Sequence, residues 1–478
     1  MVNVNSSEFD GNWGDGRGYT APSRYNFILD TDSYKLSHFL GYNPDITNVY
    51  SYAESRGGKY PATVFTGMQR YAKMLADVRV TRADVAEARE FAREHGVPFN
   101  EEDWLNIVFK HRGRIPVRIK AAPEGLLVPT RNVLATVENT DPTMPWLTSY
   151  IETSLLRAIW YPITVATRVH YMKQRIKPYY DATSDVGDMG FSVLDFSARG
   201  CASKESAEVG GMAHLLSFVG SDNLPAIMAA RSVYDEHMAA YSVAATEHSV
   251  TTSWGRGGED TSVEYLIENM MPENGILSMV GDTWNIYEFI RKVARHQNKI
   301  ANKGGTVVIR PDSGDMLQVL PQVYDLMNEL FAREKNAKGY NVFKNAKVLQ
   351  GDGINEVTVE EPFRLAMALG ISADSIMTGS GGGLMQSNID RDTCKFAFKA
   401  SNVTMRDGTE VPVAKDPITD PGKRSKQGRL FLTRDGNMYG TSDDLTVHET
   451  DLLRTVYENG KLSNMESLAT IRERLASQ

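Results

Sequence analysis

The chain has 478 residues, 41% hydrophobic and 23% charged, and its 52 Lys and Arg against 60 Asp and Glu leave a net charge of -8. That is the balance of an ordinary folded protein long enough for more than one domain, and it excludes a general affinity for nucleic acid or an anionic membrane, which needs a basic field. Cys201 and Cys394 are the only cysteines and form no CxxC pair, so neither a disulfide framework nor a cysteine zinc site is expected; with no apolar signal core or membrane-length run, a cytoplasmic protein is.

In chain order, residues 1–24 are rich in Gly, Asn, Ser and Asp without periodicity, the composition of a flexible tail. Asn26–Asp32 has strand character and runs into TDSYK (Thr31–Lys35), and a second strand, Asn48–Ala53, leads to Glu54-Ser55-Arg56-Gly57-Gly58. Thr81–His95 predicts a helix with a Thr81/Asp84 capping pair and Val85, Ala88, Phe91 and Ala92 on one face. Ile115–Ile119, Gly125–Val128 and Val133–Val137 are β-like, and Trp146–Trp160 carries a continuous helical stripe that Pro162 is expected to end. Residues 25–180 thus predict a β-rich α+β domain.

The pattern then changes to alternation of strand and helix. Val193–Phe196 precedes a Ser203–Phe218 helix, and Ile276–Val280 precedes Asp282 and a helix with Ile286, Phe289, Ile290 and Val293 inward. Val307–Ile309 precedes a helix through Val323, Met327 and Leu330, and Val348–Gln350 precedes Pro362–Leu369, closed by Gly370. Repeated strand-then-helix units across residues 181–389 predict a parallel sheet, open or closed into a barrel. From about Thr393 the chain is β-like and loop-rich again, with a Lys- and Pro-rich segment at Lys415–Arg429 and a last helix at Met465–Leu475, so 390–478 is expected to rejoin the first domain.

Three apolar runs end in tips of acid, hydroxyl and glycine: TVVIRPDSGD (Thr306–Asp315), KVLQGDGIN (Lys347–Asn355) and SIMTGSGGGLMQ (Ser375–Gln386). Ligands of parallel sheets sit at such carboxyl ends, so these tips read as one rim. Asp312 and Asp352 suit ribose hydroxyls or a magnesium ion, although acids that cap helices look the same in sequence. Gly379–Gly383 offers bare N–H groups to a phosphate. His248, in ATEHS, lies in a polar cluster with Glu247, Ser249, Thr251 and Thr252; a lone histidine is more often structural. Phe196 beside Arg199 suits an aromatic heterocycle, with a core Phe and a surface Arg as the plainer reading. Lys415, Lys423, Arg424, Lys426 and Arg429 concentrate positive charge that a polyphosphate would use, where a solvated turn is the default. Walker A, Rossmann GxGxxG, HExxH and GxSxG patterns are absent.

The same residues fall in longer blocks: TDSYK, VENTDP at Val137, WYPITVAT at Trp160, AYSV at Ala240 with EHS at Glu247, IRPDSG at Ile309, QGDG at Gln350, GSGGGL at Gly379, and KDP through KRSK from Lys415. In that order, across Phe27 to Arg472, they resemble the nicotinamide phosphoribosyltransferases of the type II phosphoribosyltransferase family. The resemblance implies an α/β fold, an incomplete α/β barrel with a second β-rich α+β domain built from both chain ends, in a homodimer with active sites at the subunit interface. It implies transfer of the phosphoribosyl group of phosphoribosyl pyrophosphate (PRPP) to nicotinamide with Mg2+, and ATP as co-substrate through a phosphohistidine. Carried over by position, Phe196 and a partner-supplied Tyr34 sandwich the pyridine, and Arg199 and Arg310 contact it and the sugar phosphate. Asp222 accepts the amide N–H, Asp312 and Asp352 hold the ribose hydroxyls, and Gly353, Gly382 and Gly383 surround the 5′-phosphate. Arg56, Arg391, Lys399 and Lys415 match polyphosphate positions, and His248, with Glu247 beside it, matches the phosphorylated histidine. Leu194, Ala198 and Ala244 depart from the family's His, Tyr and Pro. The competing readings are a nicotinate phosphoribosyltransferase, a sugar-phosphate lyase or isomerase, and a non-catalytic binding protein.

Overall fold

The computed structural model describes residues 25–420, 423–436, 438–444, 446 and 450–478. The expected tail at 1–24 and positions 421–422 of the Lys415–Arg429 segment lie outside the described residues. Strand β1 (Ile46–Ser55), helix α1 (Arg82–His95), strands β2 (Val117–Ala121) and β3 (Val133–Asn139) and helix α2 (Glu152–Thr183) come first. Thr81 caps α1 as the sequence predicts, its side chain accepting from the Asp84 N–H while the Asp84 carboxylate takes the Thr81 N–H. Phe91 leaves the predicted face: it is 54% exposed, because it sits about 100° around the helix from Ala92 and outside the stripe that Val85, Ala88 and Ala92 bury.

Two other expectations are corrected. The strand expected at Asn26–Asp32 is a 3-10 turn, Phe27–Leu29, in which the Asn26 side chain accepts from the Ile28 N–H and Phe27 packs edge-on to Trp104, so the apolar run is buried without a partner strand. Pro162 does not end its helix: after a single turn at Leu147–Tyr150, α2 starts at Glu152 and continues for 32 residues through it. An interior proline costs about 3 kcal/mol through its missing N–H and its clash with the preceding turn. Here that turn packs on Gly67, whose φ of +91° holds its backbone where a Cβ would be 2.7 Å from Pro162 Cγ and 2.8 Å from the Ala158 carbonyl. Ile163, Val165, Ala166 and Val169 are completely buried just after Pro162, and their burial outweighs the proline penalty.

The middle of the chain supplies β4 (Val193–Asp195), α3 (Lys204–His214), α4 (Leu224–Tyr234), β5 (Ala244–Ala245), β6 (Ile276–Val280), α5 (Ile286–Arg295), β7 (Thr306–Arg310), α6 (Met316–Leu330), β8 (Ala346–Gln350), α7 (Glu361–Ala368) and β9 (Ile376–Ser380). Six strands form one sheet in the order β4-β9-β8-β7-β6-β5, every neighbouring pair parallel. Isolated parallel bridges at Asp195–Ser221 and Gly220–Tyr241 carry the curve from β4 onward, so the barrel is only part-built from strands. The chain then returns as β10 (Phe396–Met405), β11 (Glu410–Pro412), β12 (Arg454–Glu458), β13 (Lys461–Leu462) and α8 (Leu468–Ala476). These close a seven-stranded sheet, β11-β10-β1-β3-β2-β12-β13, that joins strands from both ends of the chain. Among the described residues no helix is long and apolar enough to cross a membrane.

Two apolar cores, one along the half-barrel and one under the seven-stranded sheet, meet at Glu124. This carboxyl is fully buried and accepts from the Gln69 N–H at 2.8 Å, the Thr66 hydroxyl at 3.1 Å and the Tyr234 hydroxyl, on α4, at 2.7 Å. Burial pushes its pKa up. Tyr234→Phe should therefore cost about 1–3 kcal/mol by leaving a buried acceptor short of a donor; urea denaturation with an unshifted midpoint would contradict this.

Candidate active site

A parallel sheet puts all its carboxyl ends on one side, and the side chains predicted from the strand tips converge there. Phe196 follows β4; its N–H donates to the Ser380 carbonyl at the end of β9, and its ring lies over Gly379, where a Cβ would be 2.2 Å from it. Asp222 is brought alongside by its N–H, which donates to the Asp195 carbonyl at 3.0 Å, and its carboxylate takes the Ser242 hydroxyl. Asp195 itself is completely buried, accepting from the Ser197 N–H at 2.8 Å and the Asn223 amide at 3.1 Å, so one carboxylate holds the two loops that carry Phe196 and Asp222. Behind them is a cavity of about 340 Å³ whose walls include Leu194, Phe196, Val308, Leu349 and Met377, with Asp188, Asp222, Ser242, Arg310, Lys347 and Asp374 among its polar groups.

Next to this cavity the rim becomes acidic. Arg310, the last residue of β7, and Asp312, just after it, are 3.7 Å apart. Burial raises the Asp312 pKa, Arg310 and His248 draw it back, and the neighbouring charges of Asp282 and Asp352 raise it further, which places these groups in one electrostatic cluster. Gly351 leaves room for Asp312, since a Cβ there would be 2.4 Å from its carboxylate oxygen, and Gly353, with φ +73°, turns the loop that exposes Asp352. His248 Nε2 lies 2.9 Å from Asp282 Oδ1, and the Glu247 carboxylate accepts the Ser249 hydroxyl.

Gly382 abuts the loop after Phe196: a Cβ on Gly200 would be 2.6 Å from Gly382 Cα, which explains glycine at both positions by close approach. Gly383 opens a one-turn helix, Gly383–Gln386. Arg199 lies in the 3-10 turn Ala198–Gly200, exposed beside this contact.

The remaining predicted residues are elsewhere. Arg56, at the end of β1, pairs with Glu54 at 3.0 Å, and Lys399 faces Tyr52 across the β1–β10 ladder. Burial lowers the Lys399 pKa; Glu152 opposes the shift, and Arg56, Lys415 and Lys35 add to it, so these cations form a cluster around Lys399 beside the seven-stranded sheet. Arg391 is exposed and paired with Asp392. Tyr34 is 56% exposed on the 3-10 helix Ser33–Leu40, with its ring against His38, and does not line the cavity. Asp195, Ser242 and Asp282 were missed as site residues. Asp282 follows β6 as Asp312 follows β7, so the strand-end acid pattern could have found it.

The Nicotinate phosphoribosyltransferase (NAPRTase) family model matches residues 191–461, and the model for the N-terminal domain of nicotinamide phosphoribosyltransferase matches 26–119. The chain belongs to the nicotinate phosphoribosyltransferase family. It is 43% identical over 94% of its length, and 97% of the relative's, to a nicotinamide phosphoribosyltransferase of Xanthomonas campestris, and 33% identical over 77% of each chain to one of Acinetobacter baylyi. Among solved structures, nicotinate-nucleotide pyrophosphorylase from Pyrococcus furiosus superposes over 97% of each chain with a TM-score of 0.61 at 16% identity. Human nicotinic acid phosphoribosyltransferase does so over 94% of this chain and 93% of its own with a TM-score of 0.55 at 16% identity. The architecture is the type II phosphoribosyltransferase fold.

Since Gly379 is what lets the Phe196 ring stand at the cavity wall, Gly379→Ala should displace the ring and weaken binding of a flat pyridine carboxamide by about tenfold. Calorimetry returning the parent affinity would show that ring placement is irrelevant.

Proposed function

We propose that this protein transfers the phosphoribosyl group of PRPP to nicotinamide, giving nicotinamide mononucleotide and pyrophosphate. The observation that carries this reading is the cavity itself: largely apolar walls and an aromatic face, with the Asp222 carboxylate held by Ser242 beside Phe196 and a rim of acids, arginine and glycines directly outside. The 43% identity to a named nicotinamide phosphoribosyltransferase supports it. The pyridine lies against Phe196 with its amide N–H on Asp222, and the Ser242 hydroxyl holds that carboxylate in place. An aspartate there attracts an amide and repels the carboxylate of nicotinate, so the acid is the disfavoured substrate.

The ring nitrogen attacks C1′ with its own lone pair as the C1′–O bond to pyrophosphate breaks. No proton leaves the nucleophile, so no general base is required. The sugar carbon carries positive charge midway, and the carboxylates of Asp282, Asp312 and Asp352 at the rim supply negative charge to stabilise it. Asp312 and Asp352 hold the ribose hydroxyls, Arg310 balances the phosphate, and Gly353, Gly382, Gly383 and Arg199 surround the 5′-phosphate side. Among the described residues no cluster of three or more acidic, His or Cys side chains could hold a metal. Magnesium would come with the substrate's phosphates, and the carboxylates of Asp312 and Asp352 are the rim oxygens that suit it as well as the ribose hydroxyls. When bound it would neutralise the leaving pyrophosphate.

ATP use through His248 is the second element. Asp282 accepting from Nε2–H leaves the Nδ1 lone pair to take a γ-phosphoryl group from ATP, releasing ADP, with Glu247 adjacent. A phosphohistidine adds about two negative charges that call for cations. Tyr34, Arg56, Arg391, Lys399 and Lys415 do not line the cavity of their own chain, as expected if a second copy supplies them in a homodimer.

Incubation with nicotinamide, PRPP and magnesium, with and without ATP, should yield the mononucleotide by mass; its absence would refute the reaction. Asp222→Asn should admit nicotinate, raising its kcat/KM relative to the amide by at least about tenfold; an unchanged preference removes Asp222 from the selection. His248→Ala should keep basal transfer and lose the ATP stimulation, and a variant that still responds to ATP would exclude the phosphohistidine.

A further inference from the structure

Arg168, on α2, is 3% exposed although nothing in its sequence neighbourhood marks it. Its Nη1 donates to the carbonyls of Gly383 at 3.0 Å and Leu384 at 3.2 Å, and its Nη2 to those of Ser387 at 2.7 Å and Asn388 at 3.5 Å. Only the Gly383 carbonyl takes the closing N–H of the turn, from Ser387 at 3.3 Å, and a buried cation at the carbonyl end supplies further donors and favours the turn's dipole. The far end of the same turn is Gly382–Gly383, at the rim.

The guanidinium also faces the loop after β8. Glu356 Oε2 is 3.7 Å from Arg168 Nε, which is buried and has no hydrogen-bond partner among the described residues. Glu356 is fixed from its other side, taking the Tyr60 hydroxyl at 2.5 Å and pairing with Lys59. The two loops touch directly as well, the Ser380 hydroxyl donating to the Ile354 carbonyl at 2.9 Å. So a side chain from outside the half-barrel ties the glycine turn to the loop that carries Asp352 and Gly353.

We propose that Arg168 and Glu356 form a positioning pair that sets the phosphate-binding turn at the distance from the ribose-binding loop that PRPP requires. This rests on the phosphoribosyl-transfer reading above. Neither residue touches the reacting atoms. They act through Gly382–Gly383 on one side and Asp352–Gly353 on the other, so their loss should fall on PRPP and leave the pyridine cavity alone. A purely structural role would lower stability without separating the two substrates.

The test uses Arg168→Lys, which keeps the charge but cannot span four carbonyls, and Glu356→Gln, which is nearer the surface and keeps the core intact if the first variant folds poorly. The expected result is a KM for PRPP raised about tenfold, the factor carried by one charge-assisted hydrogen bond, with kcat and the KM for nicotinamide changed less than about twofold. Amide hydrogen exchange should quicken in both segments 351–358 and 381–390, a readout that needs no turnover. Parent-like exchange in those segments, or equal changes in KM for both substrates, would overturn the proposal. A parent enzyme that makes no mononucleotide would instead refute the transfer reaction, leaving exchange to decide the Arg168–Glu356 tie.

Discussion

The register of the parallel sheet is the constraint on which everything at the site depends. Val348 pairs with Ile309 on one side and Ile376 on the other, which sets Arg310 to Asp312, Gln350 to Gly353 and Gly379 to Gly383 side by side at one edge. Slipping one strand by a residue would also turn Val308 or Leu349 out of the cavity, because side chains alternate between faces. Glycine keeps the edge this tight. At 351 and 379 an added Cβ would strike a carboxylate and an aromatic ring that the cavity needs where they are.

The half-barrel was legible because buried parallel strands write themselves as short apolar runs, and the acids and glycines that follow them mark their ends. α1 was legible down to its capping box for a similar reason: cap chemistry is local. What failed was everything decided at a distance. Pro162 reads as a stop until Gly67, nearly a hundred positions away, is seen packed against that turn, and the Asn26–Asp32 run reads as a strand until Trp104 is seen beside Phe27. Asp195 was hidden in plain view, since a carboxylate with no exposure looks in sequence like any acid next to a phenylalanine. Arg168 was invisible for the same cause, as its partners are backbone carbonyls, which no side-chain pattern can announce.

Charge is divided along the path from cavity to rim. The deep end has apolar walls and a carboxylate at Asp222, the rim gathers Asp282, Asp312 and Asp352 around Arg310, and the larger set of cations lies apart, beside the antiparallel sheet. An acidic rim alone would repel a polyphosphate. That division would suit the transfer proposed above, in which a carbon becomes positive at the rim and the leaving phosphates need cations.

α2 is the element that reconciles a parallel unit with an antiparallel one. Its upstream half packs in the core of the seven-stranded sheet through Leu155, Ile159 and Ile163, while Val165, Val169, Met172 and Ile176 downstream belong to the half-barrel core. Pro162 lies at the handover, and Arg168 less than two turns beyond it. One continuous helix thus serves both cores, and its downstream half carries Arg168 to the Gly383–Gln386 turn. The proline that looked like an ending therefore lies inside the helix that carries the buried guanidinium of Arg168 to the site.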